Sequence, residues 1–352
     1  GSLSGEHGDG RSRAHLLPIM FGDELVEAFR AFKGLWDPEG GLNPGRVVDP
    51  DPPDGDLRLG PEYDPPALET YFAYPDDHGS FAAATDRCVG VGLCRRGGGG
   101  TMCPSYMVTA EERHSTRGRA HLLQEMVRGE TLADGWRSEE VREALDLCLS
   151  CKGCKSDCPV DVDMATYKAE FLAHYYEGRL RPPAAYAMGL IGAWARLAAR
   201  VPGAVNTLTQ APGLGALMKR VAGVHPDRRI PRFARTTLRS WFRGRPPSRD
   251  GPRVMVWPDT FTDHFHPATG RAAVEVLEAL GYRTAVPRAA LCCGRPLYDH
   301  GFLGLARHQL RRVLDALRPE IRRGTPLIGL EPSCVATFRD ELLQLFPDDP
   351  DA

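Results

Sequence analysis

The most informative stretch of this sequence reads Cys148-Leu149-Ser150-Cys151-Lys152-Gly153-Cys154-Lys155-Ser156-Asp157-Cys158-Pro159. Its C-x2-C-x2-C-x3-C-P spacing is typical of runs in which three close thiolates hold one iron–sulfur cluster and the fourth binds another. Two intervening residues let the chain curl round a cluster, so that successive sulfurs reach successive irons. Zinc is the competing interpretation, because Cys-x2-Cys pairs also build tetrahedral zinc sites. The run of four cysteines and the proline after it favour iron and sulfur.

A second group of cysteines precedes this run and supplies the other cluster ligands that the run requires. It consists of Cys88, Cys94 and Cys103, and Val91 stands where a complete copy of the run has its middle cysteine. Crossed ligation predicts that Cys103 and the first three cysteines of the run hold one [4Fe–4S] cluster. Cys158 then joins Cys88 and Cys94 at a second cluster. Because valine cannot bind iron, that second site is either [3Fe–4S] or [4Fe–4S] with a ligand other than cysteine.

The composition excludes several classes of protein. A chain of 352 residues, 42% of them hydrophobic, has room for two or three folded domains and is not a disordered chain. Its 44 Lys and Arg residues nearly balance 46 Asp and Glu residues, so a net charge of −2 predicts no general attraction to nucleic acid. We find no stretch with the roughly 20 apolar residues of a membrane-spanning helix. The clustered cysteines indicate a reducing compartment, and we expect a cytoplasmic protein.

The patterning along the chain predicts five segments. Residues 1–50 form a glycine-rich loop and an amphipathic helix, and residues 51–80 have the Pro and Asp content of a linker. Residues 81–180 are helical, with helices predicted over 115–128, 138–149 and 164–177, and the cysteines lie at helix ends. Residues 181–252 form a helical and Arg-rich connector. Residues 253–352 alternate strands (254–257, 282–286, 326–330) with helices (268–280, 303–322). The predicted fold class is therefore multidomain, α+β and α/β.

Because the chain begins at Gly1 with no leader, we expect it to be a piece of a longer protein.

The Arg-rich part of the connector has two interpretations. Residues 226–253 contain nine arginines against two aspartates. Such a segment is either a patch for an acidic partner or anionic lipid headgroups, or a solvated linker, and the linker is the favoured interpretation.

Three further cysteines lie in the α/β part. Cys292 and Cys293 follow a predicted strand, and Cys334 follows the next one. The ends of neighbouring parallel strands meet at one edge of a sheet, where such sheets commonly bind ligands. These three thiols are therefore candidate metal ligands. The alternative is that they pack as small buried hydrophobic side chains.

Three separated motif groups together resemble one family. Residues 1–10 and Leu42-Asn43-Pro44-Gly45 are similar to the end of the FAD-linked oxidase C-terminal domain. The two cysteine groups resemble a helical ferredoxin module. Cys292-Cys293-Gly294 and Glu331-Pro332-Ser333-Cys334 resemble one cysteine-rich (CCG) repeat, here without the further cysteine that often opens it. The whole chain thus resembles the fused FAD-binding and iron–sulfur-binding oxidoreductases, relatives of D-lactate and D-2-hydroxyglutarate dehydrogenases and of glycolate oxidase.

The resemblance implies a function and several site residues. A D-2-hydroxy acid of the D-lactate, D-2-hydroxyglutarate or glycolate class would give electrons to FAD. Iron–sulfur clusters would pass them to a quinone or a redox-protein acceptor, with at most peripheral association at the inner face of the membrane. His7 would be the base, and Glu6 would help to hold a divalent metal in members that carry one. Asn43 would lie against the flavin.

Two other functions remain as alternatives. A non-catalytic iron–sulfur electron-transfer subunit would have no use for the motifs of the first fifty residues, so these favour the fused flavoenzyme. A zinc-bound structural or nucleic-acid-binding module would need basic and aromatic residues interleaved with the cysteines. Inside the second run the only basic residues are Lys152 and Lys155, with Asp157 beside them.

Overall fold

The structure is a computed structural model that describes residues 3, 7–55, 57, 59, 60, 63–246 and 250–352. Its residues fall into two compact units, Gly1–Pro65 and Pro66–Ala352. Each unit is a separate body, and their folds are built differently. Among the described residues, no helix is both long enough and apolar enough to cross a membrane.

The described part of the first unit contains three helices, α1 (Gly10–Ala14), α2 (Leu17–Phe21) and α3 (Asp23–Trp36). The single amphipathic helix that the sequence pattern predicts is therefore two helices, α2 and α3, because Gly22 between them has φ 79°. Acidic residues in the first turn of α3 favour its N-terminus. The helix ends at Asp37, whose carboxylate accepts hydrogen bonds from the backbone N–H groups of Gly41 (2.8 Å) and Leu42 (2.9 Å).

The second unit opens with a helical part. Its helices are α4 (Phe81–Asp86), α5 (Pro104–Thr109), α6 (Thr116–Arg128), α7 (Glu139–Asp146), α8 (Gly153–Asp157) and α9 (Met164–Tyr175). Ser115 and Ser138 cap α6 and α7 by accepting hydrogen bonds from Gly118 N (2.9 Å) and Val141 N (3.3 Å). The predicted helices are present, although α7 ends three residues earlier than predicted, where the chain turns into the second cysteine run.

The connector continues the helical part with short helices. These are α10 (Pro183–Gly189), α11 (Ile191–Ala198), α12 (Pro202–Gln210), α13 (Leu214–Val221) and α14 (Leu238–Arg243). Prolines start α10 and α12, where a missing N–H costs no helical hydrogen bond. The Arg-rich segment is therefore not wholly a solvated linker, because it includes α14.

The α/β part alternates as predicted. Its elements are β1 (Arg253–Trp257), α15 (Thr260–His264), α16 (Pro267–Ala279), β2 (Arg283–Ala285), α17 (Arg295–Asp299), α18 (Leu303–Ile321), β3 (Leu327–Gly329), α19 (Pro332–Arg339) and α20 (Glu341–Leu345). The strands form a parallel sheet in the order β2-β1-β3, with Val254 opposite Thr284 and Val256 opposite Ile328. From the central strand β1 the chain passes to β2 on one side, and it then crosses to β3 on the other side. A crevice therefore opens between the carboxyl ends of β1 and β3.

The helical and α/β parts share one hydrophobic core. Phe81, Leu123 and Phe171 of the helical part lie in the same buried cluster as Leu310 of α18 and Leu345 of α20, and each is at most 1% exposed. A smaller cluster surrounds Trp257 on the sheet. The two cysteine groups and the sheet edge therefore belong to one packed body.

Candidate iron–sulfur centres

Four cysteines from both groups line one cavity of about 340 Å³. They are Cys103, Cys148, Cys151 and Cys154. This is the set that crossed ligation assigns to one complete cluster. Cys103 caps α5, while the other three follow α7 and enter α8, so helix ends position every sulfur.

The loop of the second run curls because of its backbone conformation. Ser150 (φ 51°) and Lys152 (φ 59°) both adopt the left-handed region. A Cβ on Gly153 would stand 2.9 Å from Oγ1 and 3.0 Å from the carbonyl oxygen of Thr101, so only glycine allows the two cysteine groups to approach this closely. The curled loop brings Cys148, Cys151 and Cys154 to one cavity.

The remaining three cysteines line a second cavity of about 300 Å³. Cys88, Cys94 and Cys158 share its wall with Val91. Two glycines with φ 82° flank Val91, whose side chain is 57% exposed. The position of the absent fourth thiolate is therefore open to solvent.

The arrangement of the thiols distinguishes a cluster from a single zinc ion. Structural zinc needs four ligands around a single point, with Zn–S distances of about 2.3 Å. The thiols instead surround cavities, and a cluster spreads its cysteines over several irons. The donor sets therefore fit iron–sulfur clusters better than zinc.

A buried arginine faces the first cavity. Arg119 of α6 is 1% exposed and donates hydrogen bonds to Ala144 O (2.7 Å), Ser105 Oγ (2.9 Å) and Cys103 Sγ (3.3 Å). Among the described residues, no carboxylate forms an ion pair with it. An unpaired buried cation is costly, so a thiolate or a negatively charged cluster is the counter-charge that this position requires.

The thiol pKa values follow their surroundings. Burial raises the pKa of Cys103, but a hydrogen bond with Ser105 and the charge of Arg119 outweigh it, and the pKa is lowered. Burial raises the pKa of Cys154 to about 12, and the nearby Asp163 carboxylate adds to this. Cys154 is therefore a neutral thiol without iron, and binding a cluster releases its proton.

Ion pairs hold the second run against the end of the α/β part. The side chain of Lys152 is 12% exposed and lies 2.9 Å from Asp163, 2.5 Å from Asp340 and 2.7 Å from Glu341. Lys155 lies 2.7 Å from Asp340. The lysines of the run thus position the loop.

The three cysteines of the α/β part meet at the carboxyl edge of the sheet. Cys334 Sγ lies 2.9 Å from Cys293 Sγ, and Thr260 Oγ1 lies 3.6 Å from Cys292 Sγ. The hydrogen bond with Cys293 and then burial raise the pKa of Cys292. A hydrogen bond with Cys292 lowers the pKa of Cys293. The hydrogen bond with Cys334 and burial together have the larger effect, so the pKa of Cys293 is raised. Cys292 and Cys293 are therefore neutral thiols unless a metal binds them.

A large cavity of about 720 Å³ lies against this edge and reaches the first cluster site. Its walls include Cys151 and Ser150 of the cluster loop, together with Cys292, Cys293 and Cys334. Most of its other walls are apolar, namely Leu149, Met188, Ile191, Val224, Ile230, Pro231, Phe233, Phe261, Phe265 and Pro296. A ligand in this cavity would stand beside a thiol of the first cluster site.

The predicted substrate and flavin residues lie in the first unit. His7 and Asn43 are exposed, and Asn43 has φ 50° in the turn after α3. Glu6 lies outside the described residues. Their roles stay predictions.

Sequence patterns overlooked Arg119 and the acidic partners of Lys152. Arg119 lies on the buried stripe of α6 with Thr116, Ala120 and Leu123. A charged residue in such a stripe is unusual and could have been noticed. Asp340 and its neighbour lie almost two hundred residues from the run, so no local pattern connects them.

Three family models match the chain in succession. Residues 1–47 match the C-terminal domain of FAD linked oxidases, residues 84–162 match the 4Fe-4S dicluster domain and residues 259–339 match the cysteine-rich domain. The predicted resemblance is confirmed. No solved structure matches the chain.

Curated relatives agree with these matches. The D-2-hydroxyglutarate dehydrogenase of Pseudomonas putida is 29% identical over 392 positions, which cover 97% of this chain and 38% of that protein. The enzyme of the same name from Escherichia coli is 27% identical, with 97% and 38% coverage. The glycolate oxidase iron-sulfur subunit of Escherichia coli is 25% identical over 264 positions, covering 74% of this chain and 59% of that subunit. The chain thus spans less than two fifths of the length of the dehydrogenases it matches.

Proposed function

We propose that this chain, which carries FAD-linked oxidase, 4Fe-4S dicluster and cysteine-rich segments, is the electron-transferring part of a flavin-dependent oxidoreductase acting on a D-2-hydroxy acid. The substrate belongs to the D-lactate, D-2-hydroxyglutarate or glycolate class. The names of the relatives that cover nearly the whole chain favour D-2-hydroxyglutarate.

One observation carries the proposal. Cysteines from two groups, separated by more than forty residues, line two cavities in a crossed pattern, with four thiols at one and three at the other. Two-cluster ferredoxins exchange a ligand between their clusters in this way, and residues 84–162 match a 4Fe-4S dicluster domain. The exposed position of Val91 supports a solvent-derived ligand at the second cluster, or a [3Fe–4S] cluster there.

The cofactors and the chain have separate tasks. Bound clusters supply one-electron transfer, and FAD exchanges two electrons with the substrate but one at a time with clusters. Arg119 balances charge at the first cluster site, and Lys152 holds the cluster loop. His7 would accept the hydroxyl proton of the substrate at an imidazole nitrogen, and Glu6 would help to hold a divalent metal.

The large cavity supports a small-molecule acceptor. Its apolar walls suit a quinone, and its contact with Cys151 would keep an electron-transfer distance short. A redox protein docking over the same opening is the other acceptor that we propose. The protein would be cytoplasmic, with at most peripheral association at the inner face of the membrane.

A non-catalytic electron-transfer subunit is the second candidate. The similarity to the glycolate oxidase iron-sulfur subunit favours it. The match of residues 1–47 to an FAD-linked oxidase domain favours the fused flavoenzyme, because a separate carrier needs no such segment.

Anaerobic metal analysis tests the proposal. The purified chain should contain iron and acid-labile sulfide in near-equal amounts, and dithionite should produce a reduced cubane signal in low-temperature EPR. Cys103→Ser and Cys151→Ser should remove one and the same signal, while Cys94→Ser and Cys158→Ser should affect the other site. Stoichiometric zinc without sulfide, even after anaerobic reconstitution, would contradict the proposal.

A further inference from the structure

Six arginines from different parts of the second unit line one open cavity of about 1000 Å³. Two come from α11 and the turn that follows it, three from the segment around α14 and one from the loop after β2. They are Arg196, Arg200, Arg235, Arg239, Arg243 and Arg288. Thr236, Thr237, Ser240 and His264 also line the cavity, and none of its described lining residues is acidic. The sequence pattern showed the arginines around α14 but not their meeting with the others.

Most of these arginines have no acidic partner. Arg239 pairs with buried Asp263 at 2.7 Å, and Arg196 donates to the carbonyl oxygens of Gly192 (2.9 Å) and Ala290 (3.3 Å). In the described part of the chain, Arg200, Arg235, Arg243 and Arg288 form no ion pair. The cavity therefore has a large excess of positive charge.

Three arginines elsewhere in the unit do have carboxylate partners. Arg245 makes a two-pronged pair with Glu278, and Arg253 makes one with Glu320 at 2.9 and 3.0 Å. Arg318 is bound by Asp349. These three arginines have carboxylate partners, whereas four of the six cavity arginines have none among the described residues.

Grouping unpaired arginines destabilises the folded chain. Arg239 and Arg243 are four residues apart on α14, and Arg196 of α11 has the same spacing to Arg200, which lies in the turn after that helix. Like charges at this spacing repel each other, and the two helices face one cavity. An anion in the cavity would remove this cost and make charge-assisted hydrogen bonds with several guanidinium groups.

A buried histidine adds a second observation. The side chain of His264 is 6% exposed, and its Nδ1 is buried with no hydrogen-bond partner in the described residues. Burial lowers the pKa of His264, and the positive charges of Arg239 and Arg196 act in the same direction, against Asp263. A neutral imidazole can donate a hydrogen bond to an anion as well as accept one.

We propose that this cavity, the arginine cavity, binds a phosphate group. Each guanidinium group can donate two parallel hydrogen bonds to two phosphate oxygens. The hydroxyl groups of Thr236 and Ser240 are additional, uncharged donors. The proposal concerns a site separate from the cysteine cavities and does not rest on the proposed oxidoreductase function.

The phosphate has two possible sources with the same chemistry. One is a soluble phosphate or diphosphate compound that fills the cavity. The other is the headgroup of an anionic lipid, since Leu197 and Val201, next to Arg196 and Arg200 in the chain, are 50% and 57% exposed. Basic groups beside exposed apolar side chains are common at membrane surfaces.

Two binding measurements on the full chain distinguish these sources. Inorganic pyrophosphate is titrated calorimetrically, and sedimentation with vesicles compares phosphatidylcholine alone with phosphatidylcholine containing phosphatidylglycerol. We expect binding in at least one of the two measurements, and it should weaken as salt increases. Pyrophosphate binding alone indicates a soluble ligand, and selective binding of phosphatidylglycerol vesicles alone indicates a headgroup.

A charge-reversal pair locates the site. R200E/R235E should weaken the binding at least about tenfold, because it removes two guanidinium groups and adds repulsion. R220E/R339E makes the same change of net charge at exposed positions outside the cavity and should bind like wild type. Circular dichroism and iron content, unchanged in both variants, would show that they fold. Absence of both kinds of binding in wild type, or equal binding by the two variants, would overturn the proposal.

Discussion

Arg119 is the single residue on which the electrostatics of the first cluster site depend most. It is a buried cation that donates a hydrogen bond to the Cys103 sulfur at 3.3 Å. Net charge and hydrogen bonds to sulfur are among the factors that set the reduction potential of a cluster. The guanidinium group therefore stabilises the reduced, more negative state.

Replacing Arg119 should lower that reduction potential. Arg119→Gln removes the charge but keeps hydrogen-bonding capacity, and we expect a fall of about 60 mV or more, a tenfold change in a one-electron equilibrium. Arg119→Lys keeps the charge and should stay close to wild type. An EPR-monitored redox titration measures both variants. Equal shifts in the two variants would show that packing, not charge, is responsible.

Asp299 is a second residue with a testable electrostatic role. It lies in the wall of the large cavity, and its Oδ1 is buried without a hydrogen-bond partner in the described residues. Burial raises its pKa to about 6, although the charge of Arg295 opposes the shift. The unfolded chain loses this proton near pH 4, so the folded chain holds it more tightly.

The stability effect of Asp299 should depend on pH. Below about pH 4 the carboxyl is protonated in both states, and between pH 4 and 6 ionisation favours the unfolded chain. Asp299→Asn removes this cost, so its free energy of unfolding relative to wild type should rise by about 1–2 kcal/mol from pH 4 to pH 7.5. Anaerobic thermal unfolding at several pH values measures the difference. A difference that stays constant with pH would refute the assignment.

The cluster loop between α7 and α9 depends on distant elements for its position. Lys152 meets Asp163 at the start of α9 and two carboxylates at the start of α20. The charges of Lys152 and Lys155 outweigh burial and lower the pKa of Asp340 to about 2. This ion-pair cluster joins the second cysteine run to the α/β part.

Breaking the ion-pair cluster should loosen the loop. Asp340→Asn leaves Lys152 and Lys155 with fewer counter-charges in a largely buried position, and we expect a loss of about 2 kcal/mol of stability at pH 7. The first cluster should also be lost faster in air than in wild type, while the second changes less. Asp348→Asn, at an exposed acidic residue near the same chain end, is the matched control. Time courses of absorbance and EPR measure the two losses, and equal loss at both sites would contradict this role.

The second unit as a whole folds around its cluster sites. Its helical and α/β parts share one core, and both cysteine cavities lie within that unit. A ligand that binds only the folded state adds its binding free energy to stability. Without clusters, Arg119 lacks its counter-charge, and several cysteine thiols face cavities.

Removing the clusters should therefore destabilise both parts together. Anaerobic chelation after oxidation should lower the thermal midpoint of Pro66–Ala352 by several degrees, because a few kcal/mol of metal binding are lost. Circular dichroism should show one transition for helix loss, and fluorescence of buried Trp257 on the sheet should follow it. Reconstitution with iron and sulfide is the control and should restore the midpoint. If the fluorescence of Trp257 gave the same thermal midpoint with and without clusters, the helical and α/β parts would be independent.

Local patterns were enough for the elements and for the types of ligand. Serine caps and apolar periodicity predicted α6, α7 and α9, and the alternation after residue 253 predicted the three strands. These features depend on neighbours within a few residues. The exception is α3, which the pattern joined to the preceding helix, because a single left-handed glycine was not recognised as a break.

The sequence by itself predicted which cysteines are candidate cluster ligands, because the spacing between them limits how a chain can curl round a metal centre. Only the tertiary structure decided which groups meet across long separations. The approach of Cys103 to the second run, the buried position of Arg119, the carboxylates around Lys152 and the meeting of six arginines all bring together residues from different elements. Such contacts arise from packing of whole helices and strands into one core, and the period of a local pattern contains no information about that packing.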